Sequence, residues 1–422
     1  MPLHLTTILA RNPSILEHHI RNVVERYTRQ NLICFFALTA NDAVDWTRYW
    51  QLLRSINESQ TVGCLSSTFS GVKTPRGDLS RYLGCSIGVF DPSEAVCFRS
   101  TIQGDRQAQV GRWHSFRKSE EDAGTPWPLT DGPISWDDVW GRRGEAEDSV
   151  SLDLGNTRPE DVQSLVYFTD RSYQGLSRSL VQSYPLASKV GLIATPTLTV
   201  TELPATLLHQ NSILSTGAIG LALKKPYTQN LAFQNLQSIS EPMHVDNSQG
   251  NIIQSLNGDT NPTQILLRIL ENTPGTTASN PAAFRFLNEK VFIGQVGADG
   301  QPYRVVHLTS GDPSRGGLAV SGDLAPTPGS KVQFFTQTGS PNTTLELQTG
   351  SPKKFSFVTV PELVSSDELI DMDDQQSIVL EDVFLAATDV GVVAHRPGDK
   401  EVCTGLDCPV GTTVSLEAIE GL

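Results

Sequence analysis

The stretch Leu165–Leu223 constrains the fold more than any other part of the chain. It opens with an apolar run, Leu165–Phe168, as long as a buried strand. A polar segment follows with Leu176, Leu180 and Val181 at helical spacing. A second strand-like run, Val190–Ile193, leads into a linker rich in Thr and Pro. The apolar run Gly217–Leu223 closes the unit. Strand, helix, strand, strand with embedded glycines describes a sheet covered by a helix, with glycine where two backbones approach closely.

An earlier stretch has the same order. Leu32–Phe36 matches the first strand, and Trp46–Ile56 carries Trp46, Tyr49, Trp50 and Leu53 on one helical face. Val62–Leu65 matches Val190–Ile193, and Ser86–Phe90 matches the last run. The matches pair Leu32 with Leu165, Gly63 with Gly191 and Gly88 with Gly220. A duplicated unit accounts for three matches in one order.

Length and charge set the frame. A chain of 422 residues exceeds one ordinary core. The formal charge of −14 and pI of 5.0 disfavour a nucleic-acid surface or an anionic membrane. Cys34, Cys64 and Cys85 sit in apolar runs, where thiols behave as small hydrophobes. Cys403 and Cys408 lack a second pair at zinc spacing. No signal-peptide pattern and no membrane-length run is visible. The expected location is intracellular, in the cytoplasm, with a mitochondrial presequence as the alternative.

Elsewhere, residues 3–10 predict a first strand, and Asn12-Pro13 starts a helix with its stripe at Ile15, Leu16, His19, Ile20, Val23 and Val24. Residues 104–160 hold four of the six tryptophans among acids, Gly and Pro without periodicity, and read as an insertion. Asp299-Gly300 predicts a hairpin turn before a strand at Tyr303–Leu308. Thr343–Val358 reads as a further hairpin, Pro361–Gln376 as an acidic loop, and Asp382–His395 as a strand pair.

Established catalytic and cofactor patterns are absent from the sequence. Gly217-Ala218-Ile219-Gly220 lacks the third glycine and the following helix of a dinucleotide loop. There is no phosphate loop, no histidine pair at metal spacing and no nucleophile elbow. Neither a cofactor, a metal nor a catalytic residue is therefore assigned. Polar groups at strand ends remain: Thr195 after one strand, and Ser215, Thr216 and the Gly217 backbone before another. Arg304 and Asp323 lie within apolar strands. An inward Arg304 needs a carboxylate; on an edge strand it sits in water.

Taken in order, these segments resemble the FIST family. LVYFTD, SKVGLIA and SILSTGAIGLALKK resemble its N-terminal part. NIIQSLNGDTNPTQILLRIL, FRFLNEKVFIGQV, DGQPYRVVHLTSGDPSRGGLAVSGDL and PGSKVQFFTQ resemble its C-terminal part. The opening TTILARNPSILEHHIRNVV is similar to stand-alone fungal members. The resemblance implies an α/β (α+β) fold of two subdomains, 1–230 and 231–422, with mixed, largely antiparallel sheets covered by helices. It also implies a sensor module that binds a small, amino-acid-like ligand without catalysis. Thr195, Ser215, Thr216, Gly217, Arg304 and Asp323 are then the candidate ligand contacts, converging between the subdomains. One alternative is a protein-interaction adaptor related to F-box FIST proteins of ubiquitin ligases. Another is an enzyme of a specialised pathway.

Overall fold

The computed structural model describes residues 1–28, 30–42, 44–101, 154, 157–272, 290–314, 316–322, 324–337, 342–345, 352–362, 376–399 and 403–419. The Trp-rich stretch, Asp323 and most of the acidic loop before residue 376 lie outside them. The fold is mixed α and β, with strands predominating.

The first sheet has seven strands in the order Ser212–Leu214, Leu207–His209, Thr61–Ser66, Ile33–Thr39, Leu83–Phe90, His4–Ala10 and Ser377–Glu381. Ile33–Thr39 and Thr61–Ser66 run parallel, joined through helix Trp46–Arg54. The second sheet follows the order Thr404–Leu406, Gly391–His395, Ser188–Ile193, Ser164–Thr169, Ala218–Leu223 and Ala95–Ser100. Its parallel pair, Ser164–Thr169 and Ser188–Ile193, is joined through helix Tyr173–Ser183. In each sheet an antiparallel strand flanks the pair on either side.

The register gives the repeat its physical content. Phe36 sits opposite Gly63 and Tyr167 opposite Gly191. In both units the aromatic ring lies across the facing strand, where a Cβ on the glycine would collide with it. The Gly63–Gly191 match therefore holds. The other two slip: aligning Phe36 with Tyr167 places Leu165 on Cys34 rather than on Leu32. Gly220 faces Tyr167, whereas Gly88 faces Phe35, one position out of step.

Helices cover the outer faces. Helix Pro13–Tyr27 starts as its sequence dictates: Asn12 Oδ1 accepts from Ser14 N at 2.8 Å. It buries Leu16, Ile20 and Val24 against the first sheet together with Tyr49, Trp50 and Leu53 of the second helix. Helix Tyr173–Ser183 packs Tyr173, Leu176 and Leu180 on the second sheet.

A third sheet, in the order Tyr227–Phe233, Thr412–Ala418, Lys354–Thr359 and Val383–Thr388, meets both. Phe35 of the first sheet stacks on Phe168 of the second at 4.6 Å between ring centroids. Phe384 lies 5.1 Å from Phe35, and Phe357 lies 6.0 Å from Phe168. Each such ring pair adds roughly 0.5–1.5 kcal/mol beyond area burial. The strands Lys354–Thr359, Val383–Thr388, Gly391–His395 and Thr412–Ala418 thus complete the core begun by the strands up to Ala218–Leu223. Among the described residues, four strand pairings cross the expected division after residue 230: Thr343–Thr344 on Val72–Thr74, Ser377–Glu381 on His4–Ala10, Gly391–His395 on Ser188–Ile193, and Thr412–Ala418 on Tyr227–Phe233. Among the described residues, the two wings of the expected hairpin at 343–358 do not pair with each other. Thr343–Thr344 pairs with Val72–Thr74, and Lys354–Thr359 lies between Val383–Thr388 and Thr412–Ala418.

The intervening chain forms a closed six-stranded barrel. Its order is Lys331–Gln337, Met243–Gln249, Ile252–Leu256, Leu318–Val320, Pro302–Gly311 and Val291–Val296, which returns to Lys331–Gln337. Helix Pro262–Asn272, capped by the Asn261 side chain, contributes Leu266 and Leu270 to its core.

Candidate functional site

Thr195 follows the strand Ser188–Ile193 and is buried beside the Asp389 carboxyl. Burial raises the Asp389 carboxyl above the usual carboxylate range, against the lowering effect of the Thr195 hydroxyl and Arg171. Ser215 and Thr216 sit in the bend before Ala218–Leu223, Ser215 half-buried and Thr216 exposed. Gly217 has φ +91, and a Cβ there would collide with the Ser100 carbonyl. A neighbouring backbone thus accounts for this glycine. Its N–H donates to Asp170 Oδ2 at 2.8 Å.

Arg304 points into the barrel wall, not into water. It is 5% exposed and donates to Gln295 Oε1 at 3.1 Å and to the Leu324 carbonyl at 2.8 Å. Thr195 and Gly217 share the strand-end region of the second sheet, while Arg304 is held by groups of its own barrel. Asp323 lies outside the described residues. Burial pushes the Cys64 and Cys85 thiols well above their usual range, as expected of core thiols. Among the described residues no group of three or more His, Cys, Asp or Glu can hold a metal ion. No described helix is long and apolar enough to cross a membrane.

A groove of about 440 Å³ lies elsewhere, on the outward face of the third sheet. Strand alternation builds it. Phe355, Phe357, Val414 and Leu416 point to the core. Their neighbours Lys354, Ser356, Thr413, Ser415 and Glu417 point outward and line the groove with Asn230 and Ala232. The register sets Ser356 opposite Ser415, which faces Asn230. Small side chains make this middle row the floor. At one end Lys354 Nζ lies 2.6 Å from Glu417 Oε1. At the other, Gln234 and Thr344 close a wall through two hydrogen bonds of 2.9 and 3.0 Å.

Ser356 differs from the other residues that line the groove. It is 1% exposed, lines the groove, and its Oγ has no hydrogen-bond partner. A buried hydroxyl left unsatisfied costs about 1–3 kcal/mol. None of the six sequence-derived residues lines this groove. The alternation at KFSFVT, TTVSLEA and YTQNLAF marks half-exposed strands, but nothing local says that these three distant segments pair. No family model matches the sequence, and no curated protein matches it.

Proposed function

We propose that the protein is a non-catalytic module that binds a small zwitterionic, amino-acid-like ligand in the groove of the third sheet, in keeping with the FIST-type sensor reading. The observation that carries this is the unpartnered Ser356 hydroxyl on the floor of a groove whose end presents both signs of charge. The volume lies in the range of small-molecule sites. The Lys354 ammonium retains donors for a ligand carboxylate, and Glu417 retains its second oxygen for a ligand ammonium. Ser356 supplies a hydroxyl that can donate or accept. The ligand's side chain then runs along Ala232 towards Leu345, which also lines the groove.

A thermal-shift panel of free amino acids, with their amides and decarboxylated analogues, tests this. At least one zwitterion should raise the melting temperature, while analogues lacking either charge should not. Ligand at a hundredfold its Kd stabilises the folded state by about 2.7 kcal/mol. Equal responses to zwitterions and to their amides, or no response to any of them, would count against the reading.

A further inference from the structure

Beyond its charged end, the groove of the third sheet continues along three strands. Among the described residues that line it, Lys354 and Glu417 alone are charged, and they sit opposite each other in register. The next outward row is Asn230, Ser415 and Ser356. The row after it brings Thr413 and Ala232, and Gln234 with Thr344 closes the far end. The strand rise sets the distances, about 6.6 Å from Glu417 to Ser415 and about 13 Å from Glu417 to Thr413. An amino acid with a short side chain, seated on the two charges, leaves most of that length bare.

The middle row has the width of an amide. Ser356 and Asn230 stand on the two outer strands, with Ser415 on the strand between them. Two strand spacings separate the outer pair, about 9.5 Å. Within a sheet that width holds one backbone amide with a hydrogen bond on each side. Ser356 is buried with its Oγ unpartnered, while Asn230 is exposed and carries both a donor and an acceptor. Among the described lining residues only Ala232 and Leu345 are apolar, and Leu345 is buried. An alkyl side chain therefore gains little here and leaves the Ser356 hydroxyl unsatisfied. A charged side chain finds no counter-ion beyond the Lys354–Glu417 end.

Given a zwitterion held at Lys354 and Glu417, as proposed above, we infer that the ligand's side chain carries a secondary amide at the distance of a lysine amino group from Cα. An Nε-acylated lysine has this form. Its methylenes cross from the charged row to the middle row. The Ser356 hydroxyl donates to the amide carbonyl, and the amide N–H donates to Asn230 Oδ1. The acyl methyl then meets Ala232. No covalent bond is made or broken.

Calorimetric titration of the full chain with Nε-acetyl-lysine, lysine and norleucine tests this. Each neutral hydrogen bond changes Kd roughly twofold to tenfold. With two such bonds, Nε-acetyl-lysine should bind at least tenfold more tightly than lysine or norleucine. Asn230→Leu, shown to be folded by circular dichroism, should reduce that preference at least threefold. A merely structural role for Asn230 would move all three Kd values together and leave their ratios unchanged, which would overturn the inference. Norleucine binding as tightly as Nε-acetyl-lysine would overturn it too, while the zwitterion reading stands. Equal binding of Nε-acetyl-lysine and its α-carboxamide would instead overturn the zwitterion reading, and with it this inference. Failure of the parent to bind Nε-acetyl-lysine, with norleucine bound, would overturn the inference alone.

Discussion

Replacing Ser356 by Ala separates a ligand-contacting hydroxyl from a structural one. Ser356 Oγ is buried without a hydrogen-bond partner. Removing it relieves a penalty of about 1–3 kcal/mol, less a few tenths for lost packing, so a gain near 1 kcal/mol is expected. Binding should move the other way. One lost neutral hydrogen bond is worth about 0.5–1.5 kcal/mol, or roughly a twofold to tenfold rise in Kd. Urea unfolding of the free protein gives the first quantity, and calorimetric titration with the best zwitterion from the panel gives the second. Opposite signs are the expected signature. A variant destabilised by more than 1 kcal/mol would show that the hydroxyl is satisfied within the protein and refute the reasoning. So would unchanged affinity.

Lys189→Met should be more stable than the parent at pH 7 by about 2 kcal/mol: the lowering from 10.5 to about 8 by burial is worth about 3, less about 1 for the bond that Lys189 Nζ donates to the Ala187 carbonyl. Between pH 8 and 10.5 the unfolded lysine holds its proton while the folded one releases it, so parental stability rises and the gap to Lys189→Met closes. Urea melts of the two proteins at each pH, compared as differences, check this; a gap independent of pH refutes it. His395 acts at the acid end. From pH 6.5 to about 4 the unfolded chain binds the extra proton, so parental stability falls relative to His395→Gln across that window. Phe384→Ala, at the meeting point of the three sheets, should cost about 3–5 kcal/mol in denaturant melts. Gly191→Ala should be destabilising by at least 1 kcal/mol, because its Cβ meets the packed Tyr167 ring; a neutral result would mean that the ring moves freely.

Local signals made much of this fold legible. Asn12-Pro13 starts a helix because side-chain capping and proline's fixed φ act within one turn. Gly63 and Gly191 mark the repeat because each faces an aromatic ring in the same register. Asp299-Gly300 closes the hairpin between Val291–Val296 and Pro302–Gly311. Long-range pairing was not legible. KFSFVT suits one wing of a hairpin as well as the centre of a sheet, and only its distant partners Val383–Thr388 and Thr412–Ala418 decide between them. The strand pair at 383–395 divides between two sheets for the same reason. The candidate site suffered most. Arg304 has the charge for a ligand carboxylate, but a glutamine side chain and a backbone carbonyl of its own barrel hold it. Ser356, one serine among many, acquires meaning only when three distant strands bury its hydroxyl.

Native mass spectrometry of the protein purified from its host tests the central claim most directly, run alongside Ala232→Phe, which fills the groove from its exposed strand. The parent should carry a small adduct with the mass of a zwitterion, and Ala232→Phe should appear bare. An adduct that survives unchanged in Ala232→Phe, or a bare parent that takes up none of the amino acids added to it, would contradict the assignment of the groove.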